Sequence, residues 1–164
     1  MEPEQDAPEE FFVPTAPTRD PFPRTPGGGF WTSGGRIAWV AGLVLMLSSF
    51  MDWYAVPPLA SSAPTTAVIG WHTGVLGKLV FFLGLALIVL AVLREMGIEL
   101  PPSVPESLVV IAIGAIGTIF ALIRLISIPD AFQPGAGRGI GIWIALIAAL
   151  AVIFAGLLRA GEEL

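Results

Sequence analysis

Cysteine is absent from this chain of 164 residues, which also holds one histidine, one tyrosine and a single lysine. Without thiols there is no disulfide framework, so a small stapled secreted domain is excluded. With His72 the sole imidazole, a metal centre would need carboxylate ligands, and the outer connections offer only Asp52 and Asp130. Charge is scarce too: 13% of residues are Asp, Glu, Lys or Arg, against about a quarter in soluble domains. The balance is acidic, with a net charge of −5 and a pI of about 4.7. That excludes a nucleic-acid binder of the usual basic kind, and no cofactor is expected.

Apolar residues fill the space that charge leaves. They make up 55% of the chain, the mean hydropathy is +0.83, and they gather into four blocks over about 37–54, 74–93, 107–128 and 140–159. Each block is near the roughly 20 residues that cross a bilayer. In hydrocarbon a backbone must satisfy its own polar groups, so blocks of this kind are expected to be helices. The connections, about 52–73, 94–106 and 129–139, are too short to hold a folded domain. Short links between successive spans favour up-down-up-down topology. The expected fold is an all-α membrane protein, an antiparallel four-helix transmembrane bundle over 36–164.

Residues 1–35 differ in composition. Seven of the fifteen prolines lie between Pro3 and Pro26, and six acids (Glu2, Glu4, Asp6, Glu9, Glu10, Asp20) face Arg19 and Arg24. Such a segment cannot bury enough apolar surface to offset its conformational entropy, so a disordered cytoplasmic tail, partly polyproline II, is expected. Within it, Glu9-Glu10-Phe11-Phe12-Val13 has the form of a short docking motif. The acidic start lacks an apolar h-region, which makes the first span the expected uncleaved signal anchor. Gly27-Gly28-Gly29 has no preceding strand and no following lysine-serine pair, so it reads as a tether, not a nucleotide loop.

Basic residues set the expected orientation. With the N-terminus inside, Arg19, Arg24, Arg36, Arg94 and Arg159 are cytoplasmic, and Lys78 and Arg138 are outside. Five against two places both termini in the cytoplasm of a plasma-membrane protein. Trp53, Tyr54, Trp71 and Trp143 then fall at the outer interface, where aromatic belts form. Helices in lipid approach through small residues. Gly77, Gly84 and Ala91 recur at sevens on span two. Span one has Ala41 and Ser48, span three Gly114, Gly117, Thr118 and Ala121, and span four Gly141, Ala145, Ala148, Ala149 and Ala155. These stripes suit internal packing, or, on span four above all, an interface with a second copy or another membrane protein.

Few residues are placed to do chemistry. Arg124 is the one charge well inside a block, four residues before Pro129. Intramembrane charges mark functional sites by default, but four residues are only about 6 Å of rise, within reach of the outer interface by snorkelling. Asp52 is its natural partner at that depth and Lys78 could join them, as an ion pair or as a substrate site. Lys78 fails the phosphate-loop pattern, because His72 and Leu79 stand where glycine and serine or threonine are needed. No nucleophile with an adjacent base lies within the blocks.

Five short features together resemble a loose group of small four-pass membrane proteins from high-GC Gram-positive bacteria (actinobacteria). They are the charged proline-rich tail, Ser48-Ser49-Phe50-Met51-Asp52-Trp53-Tyr54 closing the first span, and Gly70-Trp71-His72-Thr73-Gly74 opening the second. The others are Arg124-Leu125-Ile126-Ser127-Ile128-Pro129 closing the third and Gly135-Ala136-Gly137-Arg138-Gly139-Ile140-Gly141 leading into the fourth. Asp52 stands where a proline is common in that group. The resemblance covers about 36–159 and implies a four-pass fold but no activity. From bundle packing without a catalytic constellation, the expected function is non-enzymatic, a structural or accessory component of a membrane assembly. Its partners would be the lipid bilayer and other membrane proteins or further copies, with no nucleic acid. A small oligomeric channel or transporter subunit, or a sensor using the loop from Val56 to Trp71, are the alternatives.

Overall fold

A computed structural model describes residues 33–56, 64–98, 105–128 and 135–163. Residues 1–32, with the Glu9–Val13 motif, and Asp130 lie outside the described residues, whereas Ser33, Gly34 and Gly35, expected in the disordered tail, belong to the first helix. In chain order the elements are α1 (Ser33–Ser48), β1 (Asp52–Val56), β2 (Thr66–Ile69), a 3-10 turn (Gly70–His72), α2 (Val75–Glu95), α3 (Glu106–Ile126), β3 (Gly137–Arg138) and α4 (Ile140–Glu163). The chain is mostly helical, and α2, α3 and α4 are long and apolar enough to cross a membrane.

The first block departs from expectation. It was expected to be helical over 37–54, but α1 starts earlier and stops at Ser48 after 16 residues, about 24 Å at 1.5 Å per residue. Its last turn tightens through Ser49 N–H to Met46 C=O and Phe50 N–H to Leu47 C=O, the i→i−3 pattern that closes helix ends. The Ser48 hydroxyl donates to the Leu45 carbonyl at 2.6 Å. The following Asp-Trp-Tyr-Ala-Val is aromatic and β-branched, a composition that packs well on a pleated surface, and it leaves as β1.

A small sheet therefore qualifies the all-α expectation. Its order is β2-β1-β3, with β1 antiparallel to both neighbours. Asp52 pairs with Ile69 and Tyr54 with Val68, so Trp53 is an extra residue with no partner in β2. Neighbouring residues of a regular strand point to opposite faces. A bulge breaks that alternation, and here Trp53 and Tyr54 are both fully buried.

The helices pack in the ring order α3-α4-α1-α2, every neighbour antiparallel, with the lightest contact between α2 and α3. Small residues set the crossings. A Cβ on Gly84 of α2 would meet the backbone of Gly42 and Met46 in α1. One on Gly114 of α3 would meet Ile153 of α4 at 2.8 Å, and one on Gly156 of α4 would meet Ile111 of α3 at 2.6 Å. Ala145, Ala148, Ala149 and Ala155 of α4 are buried inside the bundle, while Phe82, Ile119, Ile147 and Phe154 are exposed. Small inside and large outside reverses the pattern of a water-soluble bundle and suits lipid.

Candidate functional site

The polar side chains collect at the two ends of the bundle. At the end that carries the sheet, outer in the expected orientation, they work on helix termini. The last four carbonyls of a helix have no partner within it, and in a membrane setting an unsatisfied group costs several kcal/mol. Near the end of α3, the Tyr54 hydroxyl donates to the Arg124 carbonyl at 2.6 Å. Arg138 Nε of β3 donates to the Leu125 carbonyl at 2.5 Å, and the Ser127 amide to the Ile123 carbonyl. At the end of α1, Trp53 Nε1 donates to the Ser48 carbonyl at 2.8 Å. The Trp71 amide donates to the Ser49 carbonyl at 2.7 Å. The sheet is a cap that closes two helix ends at once.

Arg124 belongs to this cap. Its guanidinium Nη2 donates to the Thr73 carbonyl, just before α2, and its Nε is buried without a hydrogen-bond partner. Gly74 follows at φ +111°, where a Cβ would be strained and would lie 2.9 Å from that guanidinium. The expected partner Asp52 is exposed, and among the described residues it forms no ion pair with Arg124. The physical reason is register: pairing in β1 directs Trp53 and Tyr54 inward and leaves Asp52 at the exposed start of the strand. Lys78 stays apart from both, exposed, with its ammonium 5.8 Å from the Trp71 ring centroid, within cation–π range.

The four expected interfacial aromatics divide. Trp53 and Tyr54 are core residues beside Leu45, Val80 and Ile142. Trp71 is half-buried in a cluster with Phe50, stacked at 5.7 Å, and Phe81, edge-on at 5.2 Å. Trp143 is exposed on α4. Burial pushes the Tyr54 phenol above its ordinary value of 10.0, while the Arg124 and Arg138 charges pull it back. His72 is exposed at the end of the 3-10 turn.

The expected small-residue contacts divide in the same way. Gly77 packs on the Gly70 carbonyl, Gly141 on Met51 and the Asp52 carbonyl, and Gly117 makes ordinary contact with Ala149. Ala145 is in the core, and Ala91 lines a small cavity at the inner end.

That end, inner in the expected orientation, holds a cluster missed in the sequence. Glu106, first residue of α3, accepts from Arg94 Nη1 at 2.9 Å and lies 2.8 Å from Arg159 Nη2. Arg94 is placed by the end of α2, where the Gly97 amide donates to the Arg94 carbonyl and the Ile98 amide to the Leu93 carbonyl. Gly97 at φ +77° supplies the left-handed residue that this helix stop requires. Arg159 is 7% exposed, and its stem packs where a Cβ on Gly34 of α1 would sit. Beside the cluster is a cavity of about 20 Å³ lined by Gly35, Ala38, Arg94 and Arg159, among others, room for about one water. The missed signal was topological, since in an up-down bundle the end of span two, the start of span three and the end of span four share one side.

Among the described residues no group of three or more His, Cys, Asp or Glu is placed to hold a metal ion. Comparison with protein-family models, curated proteins and solved structures gave no match to this chain.

Proposed function

We propose that the chain is a non-enzymatic four-pass plasma-membrane protein of the actinobacterial four-pass type that its motifs resemble. Its termini are cytoplasmic, and it serves as a structural or accessory component of a membrane assembly. The observation that carries the reading is the division of labour among side chains. Polar groups at both ends bond to helix termini or to one another, small residues line the close helix crossings, and large apolar residues such as Phe82, Ile119, Ile147 and Phe154 face outward.

The short α1 is the fourth pass. It packs between α2 and α4, both of spanning length, and its outward residues are Val40, Val44 and Leu47. A helix flanked on both sides by spanning helices shares their environment. Its 24 Å falls short of a hydrocarbon core of about 30 Å, and beyond Ser48 the sheet caps it outside the span.

Two experiments test this reading. Topology reporters fused at Gly35, Ala63, Pro101 and Leu164 should read inside, outside, inside and inside; an outside reading at Pro101 would refute it. Affinity capture in nanodiscs followed by mass spectrometry should recover a defined membrane-protein partner or further copies. Recovery of a monomer alone would contradict the assembly role.

A further inference from the structure

We propose that a groove between α1 and α4 seats an acyl chain of an anionic phospholipid whose phosphate rests on Arg36. The groove has a volume of about 500 Å³ and is lined by Arg36, Ile37, Val40 and Ala41 of α1 and Ala151 of α4. It opens where Ala41 and Ala151 present methyl groups in place of the larger residues around them. Its floor and walls are apolar, and among the described residues Arg36 is the one charge on its lining.

The charge pattern at this end selects the occupant. Arg94 and Arg159 share Glu106, whereas exposed Arg36 forms no ion pair among the described residues. An arginine fork matches a phosphate bidentately. Basic residues at a cytoplasmic boundary attract anionic lipid. From Arg36 to Ala41 the helix rises about 7.5 Å, so a headgroup on Arg36 would let the first part of an acyl chain lie along Ile37, Val40 and Ala41. This inference rests on the membrane-spanning reading above, because a groove of this kind meets lipid only if α1 and α4 lie in the bilayer.

The test uses the full chain in nanodiscs of equal phosphatidylglycerol and phosphatidylcholine, released into mild detergent, with retained lipids counted by native mass spectrometry. One phosphatidylglycerol per chain should be retained in preference to phosphatidylcholine. Arg36→Gln should lower that preference about fivefold, the factor roughly associated with one basic residue near an anionic surface. Ala151→Phe, which fills the groove and keeps the arginine, should abolish retention of either lipid. Equal retention of the two lipids by the unaltered chain, or an undiminished preference in Arg36→Gln, would overturn the proposal. Alkaline extraction of the same membranes separates the two levels. A chain released into the soluble fraction refutes the membrane-spanning reading itself, while one that stays in the membrane without a lipid preference refutes only the groove.

Discussion

The two ends of the bundle are held by different chemistry. At the outer end a three-stranded sheet donates hydrogen bonds to backbone carbonyls of α1 and α3, and Arg124 reaches to the turn before α2. At the inner end, one carboxylate joins two arginines from different helices. The outer bonds are local in kind, each capping a single terminus, so losing one exposes one carbonyl. The inner cluster is collective: Glu106 is the sole acid among its three members, and losing it leaves two cations facing each other. The outer end should therefore fail piecemeal and the inner end as a unit.

The largest expected effect falls on the outer end all the same, because its strength is packing rather than polarity. Trp53→Ala would empty a fully buried site and remove the donor to the Ser48 carbonyl. The expected loss is about 4 kcal/mol, as for buried aromatic truncations generally. Denaturant titration of helicity gives the total. Hydrogen exchange gives the place: β1, β2 and the end of α1 should lose protection while α2 near Arg94 keeps it. Uniform loss of protection would show that the two ends are not separable.

Glu106→Gln comes next, with an expected loss of about 3 kcal/mol, the lower part of the range for removing one partner of a buried ion pair. The arginines are 24% and 8% exposed in their side chains, so water compensates only part of the loss. Protection should fall together at the end of α2 and the end of α4, with the sheet unchanged. If adding Arg159→Met to Glu106→Gln failed to recover stability, repulsion between the arginines would not be the cause.

The four helical blocks were legible because hydropathy and length report them directly, and so were the close-packing positions Gly84 and Gly114. Gly42, which faces Gly84 across the α1–α2 crossing, and Gly156, which packs on Ile111 of α3, are equally small but fall outside the repeats that drew attention. The end of α1 was hidden because large apolar residues resume after Ser48-Ser49, at Phe50, Met51, Trp53 and Tyr54, and hydropathy does not distinguish helix from strand. The bulge at Trp53 left no sequence trace, so two adjacent aromatics read as a membrane belt when both point inward. Strand β3 is two residues in a glycine-rich turn, which no periodicity could reveal. The Arg94–Glu106–Arg159 cluster is a different case. All three were visible as charges at span ends, and the expected topology already put them on one side.

Arg124→Leu sharpens the contrast at intermediate size. It removes a charge-assisted bond to the Thr73 carbonyl, of a kind contributing about 1.5–3 kcal/mol. It also removes the buried, unpartnered Nε, which offsets part of the loss, so the net effect should be about 1.5 kcal/mol. Amides from Thr73 to Val75 should exchange faster. Unchanged stability with a changed phenotype in cells would instead assign Arg124 to a site for something outside the chain.

The smallest effect separates the ends by pH. Tyr54→Phe removes only the hydroxyl that caps the Arg124 carbonyl and should cost about 1 kcal/mol at neutral pH. In the folded chain burial holds the Tyr54 phenol above its ordinary 10.0. A group whose folded value is raised contributes its stability in full below the unfolded value and loses it as pH rises through the folded one. Stability of the unaltered chain should therefore decline above about pH 10, beginning with protection in β1 and β3, whereas Tyr54→Phe should be flatter over that window because phenylalanine has no proton to lose. The inner cluster of Arg94, Glu106 and Arg159 is the same in both proteins, so it cancels in the difference. An alkaline decline of equal slope in both proteins would locate the titrating group elsewhere and remove Tyr54 from the cap's energetics.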